Sequence, residues 1–167
     1  MKDLRTLKMS GKEVLPLIEG GKGIAVSSGE SSGAWAKAGG IGTFSGVNAD
    51  SYDQDGNLIL QEYKEKTRSG RHNELVNFSV SGAVEQAKIA RDIAGNSAAI
   101  HVNILWEMGA AETILTQTLQ KAKGIIDGVT CGAGMPYKLS EIAASHKVYY
   151  YPIVSSARAF NALWKRS

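Results

Sequence analysis

Ala98-Ala99-Ile100-His101-Val102-Asn103-Ile104-Leu105, the helical spacing of Ala110 to Ala122, and Ile125-Ile126-Asp127-Gly128-Val129-Thr130 running into Cys131-Gly132-Ala133-Gly134 decide the fold. Two short β-rich runs flank one helix-length segment, and small residues mark the second strand's exit. Strands joined by a helix imply parallel pairing, since parallel neighbours need a long connection and sheet twist favours one hand of crossover. Working outward, the same grammar recurs. Toward the C-terminus, Leu139 to Ser145 spaces as a short helix, Val148 to Val154 as a strand and Ala157 to Lys165 as a helix. Toward the N-terminus, Ser81 to Ala94 is helical through Val84, Ala87, Ile89, Ala90 and Ile93. Before it, Ile41 to Val47 reads as a strand.

The first unit is Val14-Leu15-Pro16-Leu17-Ile18, a strand, then Glu19-Gly20-Gly21-Lys22-Gly23 and a helix from about Glu30 to Ala38. Ser27 and Glu30 have capping-box spacing, and Gly39-Gly40 supplies a left-handed stop. The helix is expected to bury Ala34, Trp35 and Ala38. Between the second strand and its helix lies a polar insert at 49–80, expected to be an active-site cover or an interface arm.

Five strand–helix units fit two architectures. A doubly wound sheet is complete with five strands, whereas a (β/α)8 TIM barrel needs eight and about 250 residues. Glycine at or beyond the strand ends, at Gly20-Gly21, Ser45-Gly46 and Gly132-Ala133-Gly134, places small residues at the edge that carries the ligand in either design.

Composition sets the other bounds. The 167 residues carry 19 Lys plus Arg against 16 Asp plus Glu, a formal charge of +3. That is too mild and too evenly spread to announce nucleic acid. The basic end, Trp164-Lys165-Arg166-Ser167, reads as a solvated helix terminus. One cysteine, Cys131, excludes an internal disulfide. No run is long enough to span a bilayer, and Met1-Lys2-Asp3-Leu4-Arg5 lacks a signal peptide's apolar stretch, so the expectation is a cytoplasmic protein with no membrane partner.

Five segments together resemble one family: Ile18-Glu19-Gly20-Gly21-Lys22-Gly23, Ala34 to Thr43, Val102-Asn103-Ile104, Gly132-Ala133-Gly134-Met135-Pro136, and Pro152 to Ala159. In order and spacing they are similar to the nitronate monooxygenase (2-nitropropane dioxygenase) family, which includes FMN-dependent enoyl-ACP reductases. The resemblance spans nearly the whole chain apart from about 49–80. It implies an α/β chain forming the first five βα units, over 1–167, of a flavin-binding TIM-type barrel. It implies FMN as cofactor, with Gly20, Gly21, Lys22, Asn103, Gly132 and Ala133 on the flavin side, and a flavin-dependent oxidoreductase acting on a small-molecule substrate such as an alkyl nitronate. Enoyl reduction in fatty acid or polyketide synthesis is the alternative. A nucleotide-binding, flavodoxin-like or scaffold module without catalysis is the second.

The departures matter equally. Lys22 stands where the family commonly has an apolar residue, and Glu19 where glutamine is usual, so the two can form a compensating pair. The family's catalytic histidine, in a Gly-Gly-His segment after the sixth strand, and its phosphate loops after strands seven and eight have no counterpart here. The catalytic group is therefore expected beyond Ser167, with a second chain or an oligomeric partner completing the barrel. His101 points to the same side of its strand as Asn103 and is expected to be a buried, hydrogen-bonded histidine, whereas His72 and His146 are expected at the surface. Ser51, Asp53, Asp55, Gly56 and Glu62 have the spacing of a calcium-binding loop, but Asp55-Gly56 beside Leu58-Ile59-Leu60 reads better as a hairpin turn, and no metal is assigned.

Overall fold

A computed structural model describes residues 5–166. The chain is α/β. A short antiparallel hairpin, β1 (Leu7–Met9) and β2 (Lys12–Val14), turns at Ser10-Gly11 with both residues at positive φ. There follow α1 (Gly29–Lys37), β3 (Ile41–Ser45), α2 (Arg68–Ala94), β4 (Ala99–Leu105), α3 (Ala111–Lys121), β5 (Gly128–Gly132), α4 (Leu139–His146), β6 (Tyr149–Pro152) and α5 (Ala157–Trp164).

Strands β3, β4, β5 and β6 form one parallel sheet in sequence order. The first of the five expected strands contracts to a single parallel bridge, Ile18 to Ile41, held by Glu19 N–H to Ile41 O (2.9 Å) and Ile41 N–H to Leu17 O (2.9 Å). Pro16 explains the contraction, since it has no N–H to give and confines pairing to an edge. Val14, expected in that strand, pairs instead within the hairpin.

The order runs without reversal, whereas a doubly wound sheet needs a switch point where the order turns back. One face of the sheet therefore takes the helices. Phe44, Ile100, Val102, Ile104, Val129 and Cys131 alternate onto that face and join Val80, Ala83, Ile114, Leu115 and Leu139 of the helices in one buried cluster. Each fully buried aliphatic side chain there contributes about 1.5–3 kcal/mol relative to exposure. The opposite face is polar: Thr43, Ser45, His101, Asn103 and Thr130 lie on it at register positions Thr43–His101–Gly128 and Ser45–Asn103–Thr130.

Two helices differ from expectation. Helix α1 is capped by Ser28, whose hydroxyl accepts from Ser31 N–H at 3.3 Å, rather than by Ser27. It buries Gly29, Ser32, Gly33 and Ala36, while Ala34, Trp35 and Ala38 face outward. The reason is close packing on α2: a Cβ on Gly33 would lie 2.8 Å from Ile93 Cβ and 2.9 Å from Ala90 O. The small residues, not the tryptophan, are the contact face. Helix α2 starts thirteen residues earlier than Ser81, at Arg68, so about two-fifths of the polar insert is helix. Thr67 caps it, accepting from Gly70 N–H at 3.0 Å, an arrangement that contributes about 1 kcal/mol. The remainder of the insert holds the expected hairpin, with a Tyr52–Leu58 bridge and Gly56 at φ +81°.

The β5 strand lies two to three residues later than expected, because Ile125 ends the turn after α3 and Ile126 lies in the irregular stretch before the strand. Of the basic terminal segment, Ser167 lies outside the described residues. Among the described residues, no helix is long and apolar enough to cross a membrane.

Candidate functional site

At the C-terminal ends of the parallel strands, the loop after the Ile18 bridge folds over the polar face. Gly21 rests on Asn103 so closely that a Cβ would overlap the asparagine side chain, while Gly20 has nothing within 4 Å of where a Cβ would be. Only glycine permits the first contact, and the second leaves an open flank. Ser27 staples this loop, its Oγ accepting from Lys22 N–H (2.9 Å) and donating to Gly20 O (3.3 Å). Ser45 N–H donates to Ser27 O (2.8 Å) and Ala25 N–H to Val47 O (3.2 Å), tying the loop to the exit of β3.

Asn103 is buried on β4 between Ser45 and its register partner Thr130. Thr130 Oγ1 donates to Asn103 Oδ1 at 3.1 Å. Two residues further along the same strand pair, Leu105 pairs with Gly132, and Trp106 N–H and Glu107 N–H donate to Gly132 O and Ala133 O, each at 2.8 Å. Gly132 is buried and Ala133, at φ 52°, is exposed. Thus Gly21 and Asn103 are in direct contact, Gly132 and Ala133 lie along the same strand-end edge, and Gly20 and Lys22 flank the opening.

Lys22 is exposed and makes no ion pair with Glu19 among the described residues. The expected compensating pair is replaced by a different arrangement. Glu19 is buried, and its carboxylate accepts from Ser31 Oγ (2.9 Å) and Thr43 N–H (3.1 Å). It joins the end of the first strand segment to α1 and β3, so its partners fix the loop's departure point rather than neutralise a cation.

Helix α2 holds the same edge from behind. Gln86, buried, accepts from Gly29 N–H (2.5 Å) and donates to Asp50 O (2.6 Å), while Ser79 Oγ donates to Asn48 Oδ1 (2.7 Å). A polar residue at a helix's apolar stripe is the signal that could have identified Gln86 from sequence.

His101 sits two residues nearer the N-terminal end of β4 and is fully buried. Its Nε2 lies 2.7 Å from Ser10 Oγ, its ring stacks on Tyr151 at 5.0 Å, and Tyr151 OH lies 3.0 Å from the same hydroxyl. Burial drives its pKa down to about 4, against a smaller upward pull from Asp127. A neutral imidazole closed off by the hairpin is a structural element, in agreement with the expectation. His72 is exposed, and His146 is partly buried, its Nδ1 3.0 Å from Ile142 O. Burial also pushes the Cys131 thiol up to about 12, which removes it as a nucleophile.

Below the sheet, Asp127 receives Lys12 Nζ at 3.0 Å and Arg91 Nη2 at 2.7 Å, and accepts from Ile100 N–H at 2.9 Å. This clamp fastens the hairpin and α2 to the N-terminal strand ends, away from the glycine edge. In the insert, Asp53 Oδ1 accepts from Asp55 N–H (2.9 Å) and Asn57 N–H (2.8 Å), bonds that lower its pKa and turn the carboxylate onto its own loop.

An apolar groove of about 210 Å³ lies on the helical side, between α4 and α5, lined by Tyr137, Leu139, Tyr150, Phe160 and Trp164 among others. Among the described residues, no carboxylate, imidazole or thiol lines it. A scan of the chain against models of known families finds no match, and a search of curated proteins finds none either.

Proposed function

We propose that this chain is the flavin-side portion of a TIM-type β/α barrel, an FMN-dependent oxidoreductase of the nitronate monooxygenase type. The observation that carries this reading is the contact of Gly21 with Asn103 at the C-terminal edge of a parallel sheet whose strands run in sequence order. Sequential order suits a barrel, in which each strand pairs with its predecessor and the site forms from the strand-to-helix loops.

The residues present fit the ring side of FMN. Gly20 offers backbone to a flat ring with no side chain in the way, and Asn103 offers an amide at the ring's edge without adding net charge. Gly132 and Ala133 line the adjoining strand end. Bound there, FMN supplies the two-electron redox chemistry that side chains lack. Lys22, exposed at the mouth, is placed to attract an anionic substrate such as a nitronate. His101 takes no part in proton transfer, because the hairpin covers it and its pKa is far below neutrality. The acid–base group and the phosphate contacts are assigned to strands outside these residues. The unpaired edge of β6 is where such strands would join.

Oxygen uptake by the FMN-loaded protein, isolated with any chain that co-purifies, tests the activity. Addition of an alkyl nitronate is expected to start oxygen consumption. Oxidation of NAD(P)H that depends on an enoyl thioester, without a response to nitronate, would favour the enoyl reductase. A flavin-loaded preparation with neither activity would overturn the proposal.

A further inference from the structure

We propose that Thr130 is a positioning residue that locks Asn103 as a hydrogen-bond donor, so that the strand-end site selects a ligand atom with an accepting lone pair. The inference rests on the reading of this edge as a ring-binding site and adds the polarity of its recognition.

A carboxamide offers one accepting oxygen and one donating NH2, and either end can turn toward a ligand unless something fixes the flip. Thr130 fixes it. The two residues are register partners on adjacent strands, so their side chains lie side by side on the polar face. The Thr130 hydroxyl has one hydrogen, and its nearest acceptor is Asn103 Oδ1 at 3.1 Å; Val102 O, at 3.5 Å, is farther. A β-branched side chain on a strand has little rotamer freedom, which holds the hydroxyl in place. Gly21 also closes over Asn103, where the Cβ of any larger residue would collide with the asparagine side chain. With Oδ1 engaged, the Nδ2 hydrogens are what the amide presents. The complementary group is an unprotonated ring nitrogen or a carbonyl oxygen, and a donor such as a ring N–H meets the wrong polarity.

The experiment is FMN titration of the full chain, followed by flavin fluorescence, in four variants. Thr130→Val is expected to weaken FMN about tenfold, and Thr130→Ser, which keeps the hydroxyl, to bind within about twofold of the parent. Asn103→Asp keeps an acceptor for Thr130 but has no donor, and is expected to lose at least about tenfold. The double variant Asn103→Asp with Thr130→Val is expected to be no weaker than Asn103→Asp alone, because nothing remains to be oriented. Undiminished binding by Asn103→Asp or Thr130→Val would overturn the inference. If the parent, isolated with any chain that co-purifies, binds no FMN, the ring-site reading fails, and the lock is then read in the free protein by NMR. The Asn103 side-chain amide resonances are expected to shift in Thr130→Val and return in Thr130→Ser. Resonances indifferent to Thr130 would overturn the lock regardless of FMN.

Discussion

His101 shows how a titratable side chain on a site-facing strand can serve stability alone. The imidazole is enclosed by Ser10, Tyr151 and Gly128, and a Cβ on Gly128 would lie 2.6 Å from its Nε2. Burial makes protonation costly in the folded state, with pKa about 4 against an ordinary 6.5. A base whose folded pKa is depressed leaves the unfolded chain binding more protons between the two values. Its stabilising effect is full above pH 6.5 and is lost as pH falls toward 4, by roughly 3 kcal/mol. Urea unfolding at pH 7.5 and 4.5 is expected to show that loss, and His101→Gln is expected to flatten the His-specific part of it. A pH dependence equal in parent and variant would contradict the assignment. The side of the strand shared by His101 and Asn103 was legible from alternation, and so was the histidine's burial. Its partners were not, because Ser10 lies 91 residues away and is brought there by a hairpin too short to read from periodicity.

At the scale of elements, α2 is the spine that positions the edge. It was expected from Ser81 because its first turns, Arg68 to Asn77, are polar and carry little helical pattern; the Thr67 cap and the packing of the later turns draw them into the same helix. The reversed face of α1 has a related cause. A search for apolar residues selects Trp35, but the helices approach so closely that Gly29 and Gly33 form the contact, a pairing that spacing alone does not reveal. At Gly82 the loop after β3 approaches α2 just as closely: a Cβ there would run into the carbonyl of Ala49, and the helix cannot move without disturbing Gln86 and Ser79. Gly82→Ala is therefore expected to destabilise by about 3 kcal/mol despite alanine's better helix propensity. Guanidinium unfolding checks it, and a neutral or stabilising change would mean that the β3 exit is not clamped by α2.

For the whole molecule, the parallel sheet and its helices were legible because each βα unit carries its own periodicity and glycine punctuation. The strand order is a tertiary fact that no local pattern carries, and it distinguishes a singly wound sheet from a doubly wound one. One edge of the sheet is partly covered by the Leu17–Glu19 segment, whereas β6 presents an edge unpaired among the described residues, beside exposed Tyr149 and Ile153. An uncovered parallel edge beside apolar surface invites pairing, and in the proposed barrel that pairing brings the missing acid–base group to Asn103. Flavin binding and a strand-supplying partner are thus one claim with two observable parts.

The measurement that tests it most directly is the absorbance spectrum of the purified protein from about 350 to 500 nm, with intact-mass analysis of every chain present. The account predicts two flavin bands at one FMN per site, accompanied by a second chain or a stable oligomer. A colourless, monomeric 17.8 kDa chain that takes up no FMN on addition would contradict it.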